Sequence, residues 1–490
     1  MAVTGEKAVV MVLDSVAAEA HPLQQPESLK HVLGEIASSA APAALIELIR
    51  WLDSFHYEAL VPPAELARLV VQLDEAAQPH LRQTASLYLS NVLGARSVRY
   101  KALGQDFHAS LGRAYELVLA SPEEELEPDQ RLEVLLRSVR CANGEMKWAA
   151  FDYQELSEDS WRRAGEAYRT ACEQDRLDSP VLVREGRETR STIRREFVRL
   201  VAMKSACLDQ LAPERIEATD KLVRHLQHAL DLRQRPGRGQ LFAVDLEALS
   251  PPRRCLVPPT EPSSTMRYFD PADAMPVLGE LGQDVEGGGR GFDGMDDSTV
   301  AATIRHLIRH WGEQPPTRRF RRHPVGGTLS LATGLGFIRS LISGEALLRP
   351  AAAWTLQDAS RNGFGVRATV MDPEVCRVGT LVAAHLGENG RWVLGVVRRV
   401  RVDEKGGASV GVQRLSDDPQ PVIFDDGARS WNGILCDPPV RGRGVRIVCE
   451  PGTIRSGVLF VKLGARMLKL QSGPALLAGP GYQVVGCQLV

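Results

Sequence analysis

The hydrophobic period of this chain changes once along its length, and that change limits the fold more than any other feature. Across residues 26–236 apolar side chains recur at helical spacing. Leu45, Leu48, Ile49 and Leu52 fall at i, i+3, i+4 and i+7, which is one stripe of a helix. Ile193, Phe197, Leu200, Val201, Leu208 and Leu211 keep the same period, and Leu222, Val223, Leu226 and Leu230 resume it beyond a break at Pro213. Helix-terminating proline and glycine recur at Pro62-Pro63, Pro79, Pro122 and Pro236-Gly237. From Thr317 onward the pattern is that of strands. Residues 392–402 and 408–415 flank the turn Asp403-Glu404-Lys405-Gly406-Gly407 as a hairpin. Short strands recur around Val422-Ile423-Phe424, 445–448, 458–461 and 483–489, with glycine-rich spacing that suits small barrels or sandwiches.

A chain of 490 residues is too long for one core. The expected organisation is α+β and multidomain: an N-terminal tail over 1–25, an all-α helical domain over 26–236, and a Pro/Gly-rich connector over 237–316. A β domain over 317–418 and a further small β module over 419–490 complete it. Within the connector, Pro251-Pro252, Pro258-Pro259 and Gly287-Gly288-Gly289 read as turns. One helix is expected there, over about 298–311, with Val300, Ile304, Leu307, Ile308 and Trp311 on its apolar face and Pro315-Pro316 as its stop. His306 and His310 share the opposite face and read as solvated surface groups.

A formal net charge of −2 argues against a general nucleic-acid or membrane-surface binder, so an anionic partner must be recognised by a local patch. No apolar run approaches the ~18 residues of a membrane span, and the first fifteen residues lack the pattern of a signal peptide. The eight cysteines are scattered without a C-x-x-C pair, which disfavours a zinc ribbon or redox dithiol and suits free thiols in a reducing cytoplasm. H-E-x-x-H is absent and the spacing assembles no nucleophile–base or metal set, so the chain reads as a non-enzyme with no metal or cofactor.

One constellation stands out against this background. Arg318-Arg319-Phe320-Arg321-Arg322 is followed, after a strand and a half of chain, by Asp358, Ser360 and Gly363 in the spacing D-x-S-x-x-G. A guanidinium offers two parallel N–H bonds to a phosphate or to the O6/N7 edge of guanine, and its plane stacks on a base. Asp358 is able to accept from the N–H donors of a guanine, and Ser360 to donate to a phosphate or base oxygen. Gly363 removes a side chain where ligand approaches backbone and permits positive φ. Arg319, Arg321 and Arg361 are additional cations within reach of the same ligand.

R-x-x-x-R at Arg318 and Arg322 with D-x-S-x-x-G from Asp358 resembles the signature of PilZ domains, bacterial β-barrels that bind cyclic di-GMP. Arg322-His323-Pro324 resembles the segment that opens such a barrel, and Gly395-Val396-Val397-Arg398 leading to Val410-Gly411-Val412-Gln413 resembles its later hairpin. The likeness covers about 100 residues, 317–416. It implies a six-stranded antiparallel barrel in which Arg318 and Arg322 hold the guanines and phosphates of cyclic di-GMP. Asp358, Ser360 and Gly363 would complete the pocket, without turnover. The stretch from Arg322 to Asp358 is longer than usual for the family. The implied protein is a cytoplasmic signal-transduction receptor whose helical domain contacts a protein partner and whose linker at Pro315-Pro316 acts as a hinge. The competing expectation is an interaction scaffold with a degenerate barrel that binds no nucleotide.

Overall fold

The computed structural model describes residues 20–490 apart from 58–60, 93, 185–187, 238–241, 256–262, 290, 315, 318–319, 346–353, 387–390, 426–428, 455–456 and 465. The N-terminal part is built mainly of packed helices and the C-terminal part is two β-barrels, an α+β multidomain chain.

Proline starts more of these helices than it ends. Pro26, Pro63, Pro128 and Pro213 each occupy the first turn of a helix, where the missing N–H has no intrahelical partner to lose. Pro79, expected to end a helix, lies inside the one spanning Pro63–Leu89. Leu73, Ala77, His80, Leu81 and Thr84 on either side of it are buried, so tertiary packing outweighs the local cost of about 3 kcal/mol.

The helices Pro26–Ser38, Ala41–Ser54, Pro63–Leu89 and Ser97–Leu119 close over one apolar core, which includes Leu45, Leu48, Leu69, Val70 and Phe107. Helix Pro128–Phe151 contributes to that core and to a second one, shared with Glu158–Glu173, Ile193–Ser205 and Pro213–Leu226. A short hairpin, Val181–Arg184 with Glu188–Ser191, interrupts what was expected to be an all-α region.

The expected connector is part of this helical body. Strands Phe242–Asp245, Arg253–Arg254 and Met266–Asp270 form a four-stranded sheet with Asp231–Arg233. Two helices follow, Ala274–Glu286 and Asp297–Trp311, where one was expected. Leu278, Val285, Val300, Ile304, Leu307 and Trp311 from these helices lie in the second helical core. Gly287-Gly288 do lie in a turn and Pro258-Pro259 fall outside the described residues, but the apolar residues of this stretch bury against the preceding helices. His310 is buried and His306 half-buried, with the rings 4.3 Å apart and His306 Nε2 2.7 Å from the Ala206 carbonyl. They were expected in solvent; instead their face of the helix packs against the chain beyond Ser205. Burial holds both below the usual histidine range, His306 at about 3 and His310 at about 4. Of the expected hinge, Pro315 lies outside the described residues.

Both barrels are closed and antiparallel. The first runs Gly363–Ala368, Ala408–Ser416, Trp392–Val402, Leu381–Leu386, Thr328–Thr333, Trp354–Ser360 and back to Gly363–Ala368. Period-2 alternation sends Val366, Val400, Val410 and Val412 into its core and leaves Arg367 and Arg401 outside. The second barrel comprises Gln420–Asp425, Ser430–Leu435, Gly444–Cys449, Tyr482–Leu489, Arg466–Gly479 and Val458–Leu463. Between the barrels an apolar layer joins Ile338, Leu381, Leu394 and Val396 to Ile434, Val448, Tyr482 and Val484.

The helical body meets the first barrel through Tyr153, whose side chain is buried among barrel residues. Its hydroxyl accepts from the Val378 amide at 3.0 Å, and its carbonyl accepts from the Val402 amide at 3.0 Å. Arg377 pairs with Glu214 at 2.5 Å across the same junction.

Candidate functional site

The long stretch between Arg322 and Asp358 does not separate them, because its two ends run antiparallel to each other. His323 and Pro324 pair with Ala359 and Asp358, the Val325 amide donates to the Gln357 carbonyl, and Thr328 and Leu329 pair with Thr355 and Trp354. The register is broken only at Gly326-Gly327, where Gly327 has a φ of 147° that disfavours a side chain. The extra chain, including helix Leu335–Ile342, is accommodated at the far end, where Ile338 and Leu341 pack in the layer between the barrels. Arg322 is thereby delivered to Asp358, and its Nη1 donates to Oδ1 at 2.7 Å.

This pair faces a cavity of about 430 Å³ on the outer surface of the first barrel. Arg322, Asp358, Ser360 and Gly363 all line it, together with Phe320, Asn362, Gly365 and Gln413. Both members of the ion pair keep roughly a third of their surface accessible (29% for Arg322 and 33% for Asp358), so a ligand can reach them. Arg318 and Arg319 lie outside the described residues. Arg321 and Arg361 line a separate depression on the other side of Phe320, and Arg361 stacks on that ring at 5.8 Å. Ser360 sits at the rim of both hollows.

Two of the small residues act differently from expectation. Ser360 Oγ donates to the Gly363 carbonyl at 3.2 Å, so its proton closes the turn at Arg361-Asn362, and lone pairs remain for a ligand donor. Gly363 is not in the positive-φ region. A Cβ there would lie 2.1 Å from the Val412 carbonyl oxygen, so its requirement for glycine comes from close pairing with the neighbouring strand. Gly365 carries the site's own requirement. A Cβ on Gly365 would sit 2.8 Å from Asp358 Oδ1 and 3.2 Å from Arg322 Nη1, in the space the ion pair occupies.

The strand Trp392–Val402 supplies cations that reading the motif alone did not single out. Arg398, Arg399 and Arg401 line the cavity. In a regular strand Arg398 and Arg399 would point to opposite faces, but the register shifts between Val397 and Arg399. This bulge leaves Arg398 unpaired in the ladder and directs both guanidinium groups to the outer side, where Arg398 Nε donates to Gln413 Oε1 at 2.7 Å. The two-residue spacing of Arg399 and Arg401 was a signal available in the sequence; the bulge was not. Partial desolvation opposes the charge of Arg401, but the hydrogen bond and charge of Asp209 together with the Glu155 carboxylate outweigh it, and its pKa is raised.

The cavity therefore presents four cationic side chains, one carboxylate, the hydroxyls of Ser360 and Ser409 and the Phe320 ring around an open floor of glycines. Such a set fits an anionic ligand with flat, donor-bearing rings: forks for phosphates, an acceptor for ring N–H groups and an aromatic face. Among the described residues no group of three or more His, Cys, Asp or Glu is placed to hold a metal ion, and no helix is long and apolar enough to cross a membrane.

Comparison with curated proteins found no match. Residues 27–236 match a family model described as "Cyclic-di-GMP receptor FimW, N-terminal domain". The helical part of this chain is thus similar to the N-terminal domain of a family of cyclic-di-GMP receptors.

Proposed function

We infer that the chain is a PilZ-type receptor that binds cyclic di-GMP on the outer face of its first barrel and passes the binding event to its helical part. The observation that carries this reading is the Arg322–Asp358 pair, assembled at 2.7 Å in an open cavity together with Ser360 and Gly363. Arg322 retains N–H donors for a phosphate or a guanine edge while Asp358 fixes its orientation, so little side-chain freedom is lost on binding. Arg318 is the second fork of the motif. The similarity of residues 27–236 to a cyclic-di-GMP receptor domain supports the same ligand from an independent part of the chain.

The reading is of binding without turnover, in the cytoplasm. Of the two hydroxyls lining the cavity, Ser360 donates to the Gly363 carbonyl and Ser409 to the Gln357 side-chain carbonyl, neither to a base. Tyr153 and the Arg377–Glu214 pair tie barrel and helices together, so a change at the barrel face has a direct mechanical route to the helical part.

Isothermal titration of the full chain with cyclic di-GMP tests this, with GTP and linear di-GMP as comparison ligands. Saturable heat with cyclic di-GMP that is lost in Arg322→Ala and in Arg318→Ala is expected. No heat with the wild-type protein at ligand concentrations up to the millimolar range would refute it and favour the scaffold.

A further inference from the structure

The cationic wall of the cavity is shared with a second hollow. A cleft of about 610 Å³ lies between the helical body and the first barrel, and Arg322, Arg398, Arg399 and Arg401 line it as well as the cavity. From the helical side the Asp209 carboxylate is hydrogen-bonded to this wall, with Glu155 more distant. Asp209 belongs to the one-turn helix Leu208–Gln210, which the chain enters through Cys207 in the left-handed conformation (φ 54°, ψ 57°). That conformation is unfavourable for a side-chain-bearing residue and turns the chain sharply after helix Ile193–Ser205.

Asp209 Oδ2 accepts from Arg399 Nε at 2.7 Å and from Arg401 Nε at 2.8 Å. The carboxylate is the most enclosed of the three, at 16% side-chain exposure against 39% and 51% for the arginines. The outer nitrogens of both guanidinium groups are left without a hydrogen bond among the described residues; the Glu155 carboxylate stands 3.8 Å from Arg401. Two of the cavity's cations are therefore already engaged, on one edge, by an anion from another part of the protein.

We propose that Asp209 is a built-in competitor for the ligand: it holds Arg399 and Arg401 in the free receptor, and an anionic ligand in the barrel cavity displaces it from them. The proposal rests on the cyclic-di-GMP reading and adds the regulation of that site. The physical reason is a charge imbalance: the two guanidinium groups carry two positive charges, whereas Asp209 and the two phosphodiesters of cyclic di-GMP together bring three negative ones. A phosphodiester that takes the outer edges of Arg399 and Arg401 approaches the Asp209 carboxylate as a like charge in a partly desolvated cleft, where repulsion is stronger than in water. Asp209 carries the turn Leu208–Gln210 with it, so ligand loosens the contact between this turn and the strand Trp392–Val402. Tyr153 holds the junction by hydrogen bonds to backbone amides, which an anion does not contest, and remains as the fixed point. Ligand-dependent movement is thus confined to one turn, driven by differential charge pairing in the two states.

The test compares cyclic-di-GMP affinity in the full-length wild type, Asp209→Asn and Arg399→Ala/Arg401→Ala, with hydrogen exchange of the segment 206–212 as a second readout. Asn keeps the shape of Asp209 and removes its charge. Asp209→Asn is expected to bind about three- to tenfold more tightly, the range for a partly exposed ion pair, and the double variant at least tenfold more weakly. In the wild type, ligand should accelerate exchange in 206–212, and in the double variant it should not. Asp209→Ala serves as the second substitution and should follow Asp209→Asn. Binding by the wild type with unchanged or weaker binding by both Asp209 variants overturns the competitor role while leaving the receptor reading intact. Absence of binding by the wild type and by both Asp209 variants overturns the receptor reading and this proposal with it.

Discussion

Gly365→Ala separates the site from the scaffold that carries it. The added methyl would lie 2.8 Å from Asp358 Oδ1 and 3.2 Å from Arg322 Nη1, closer than real Cβ atoms approach an oxygen, so the ion pair has to move. Both contacts are the ends of side chains with about 30% exposure, which can swing outward without disturbing the strand. Gly365 is also outside the positive-φ region, so alanine brings no backbone strain there, and it relieves the entropic penalty of glycine in a strand. The lost ion pair is a partly exposed one, worth about 0–1 kcal/mol, and the relief from glycine is of similar size and opposite sign. Urea unfolding should accordingly place the variant within about 1 kcal/mol of the wild type. Affinity for cyclic di-GMP should behave differently. Misplacing one guanidinium fork removes a charge-assisted contact of about 1.5–3 kcal/mol, or roughly ten- to hundredfold in Kd. Gly363→Ala, two residues away, is the internal contrast. Its methyl would meet the Val412 carbonyl oxygen at 2.1 Å, a backbone atom that cannot swing aside, and should cost at least about 2–3 kcal/mol of stability. Calorimetry and urea titration on the two variants read both quantities. Wild-type affinity in a folded Gly365→Ala protein would refute the use of the Arg322–Asp358 pair by ligand.

Other expectations concern the scaffold. Pro79 is exposed in the middle of helix Pro63–Leu89, so Pro79→Ala should stabilise the protein by roughly 1–3 kcal/mol, visible as a raised urea midpoint. Arg137 is buried and pairs with Asp74 at 3.2 Å, Glu75 at 2.6 Å and Glu133 at 2.9 Å; Arg137→Met leaves the buried Asp74 without its cation and should cost about 3 kcal/mol by the same assay. Tyr153→Phe removes the acceptor of the buried Val378 amide and should cost about 1–3 kcal/mol, with faster exchange at that amide. Burial holds His108 at about 4, below its ordinary value, so it is neutral when folded and protonates more readily when unfolded. Its contribution is therefore complete above pH 6.5 and is lost as pH falls from 6.5 towards 4, by roughly 1.4 kcal/mol per pH unit. The slope of stability against pH in that window should be shallower in His108→Gln.

The change of hydrophobic period was legible because it depends on local geometry alone: 3.6 residues per turn in the helices, two per repeat in the strands. Leu45, Leu48 and Leu52 lie in a helical core and Val410 and Val412 in a barrel core for that reason. Single prolines were less informative, since Pro63 and Pro213 start helices by the same rigidity that was taken to stop them. The connector was misjudged because turn residues report where the chain bends, not what its intervening side chains bury against. Val300 and Trp311 found their partners in helices far away in sequence.

The residue types at the site were set by the sequence: a guanidinium, a carboxylate, a hydroxyl and glycines at fixed spacing. Their convergence belonged to tertiary structure. Arg322 reaches Asp358 because 323–329 and 354–359 pair antiparallel, a long-range choice that no local propensity encodes. Arg398 and Arg399 share the outer face because of a bulge, and Asp209 meets Arg399 and Arg401 because helices and barrel dock as they do. Spacing along the chain fixes which chemistry is available, while strand register and domain docking decide which charges stand close enough to act together.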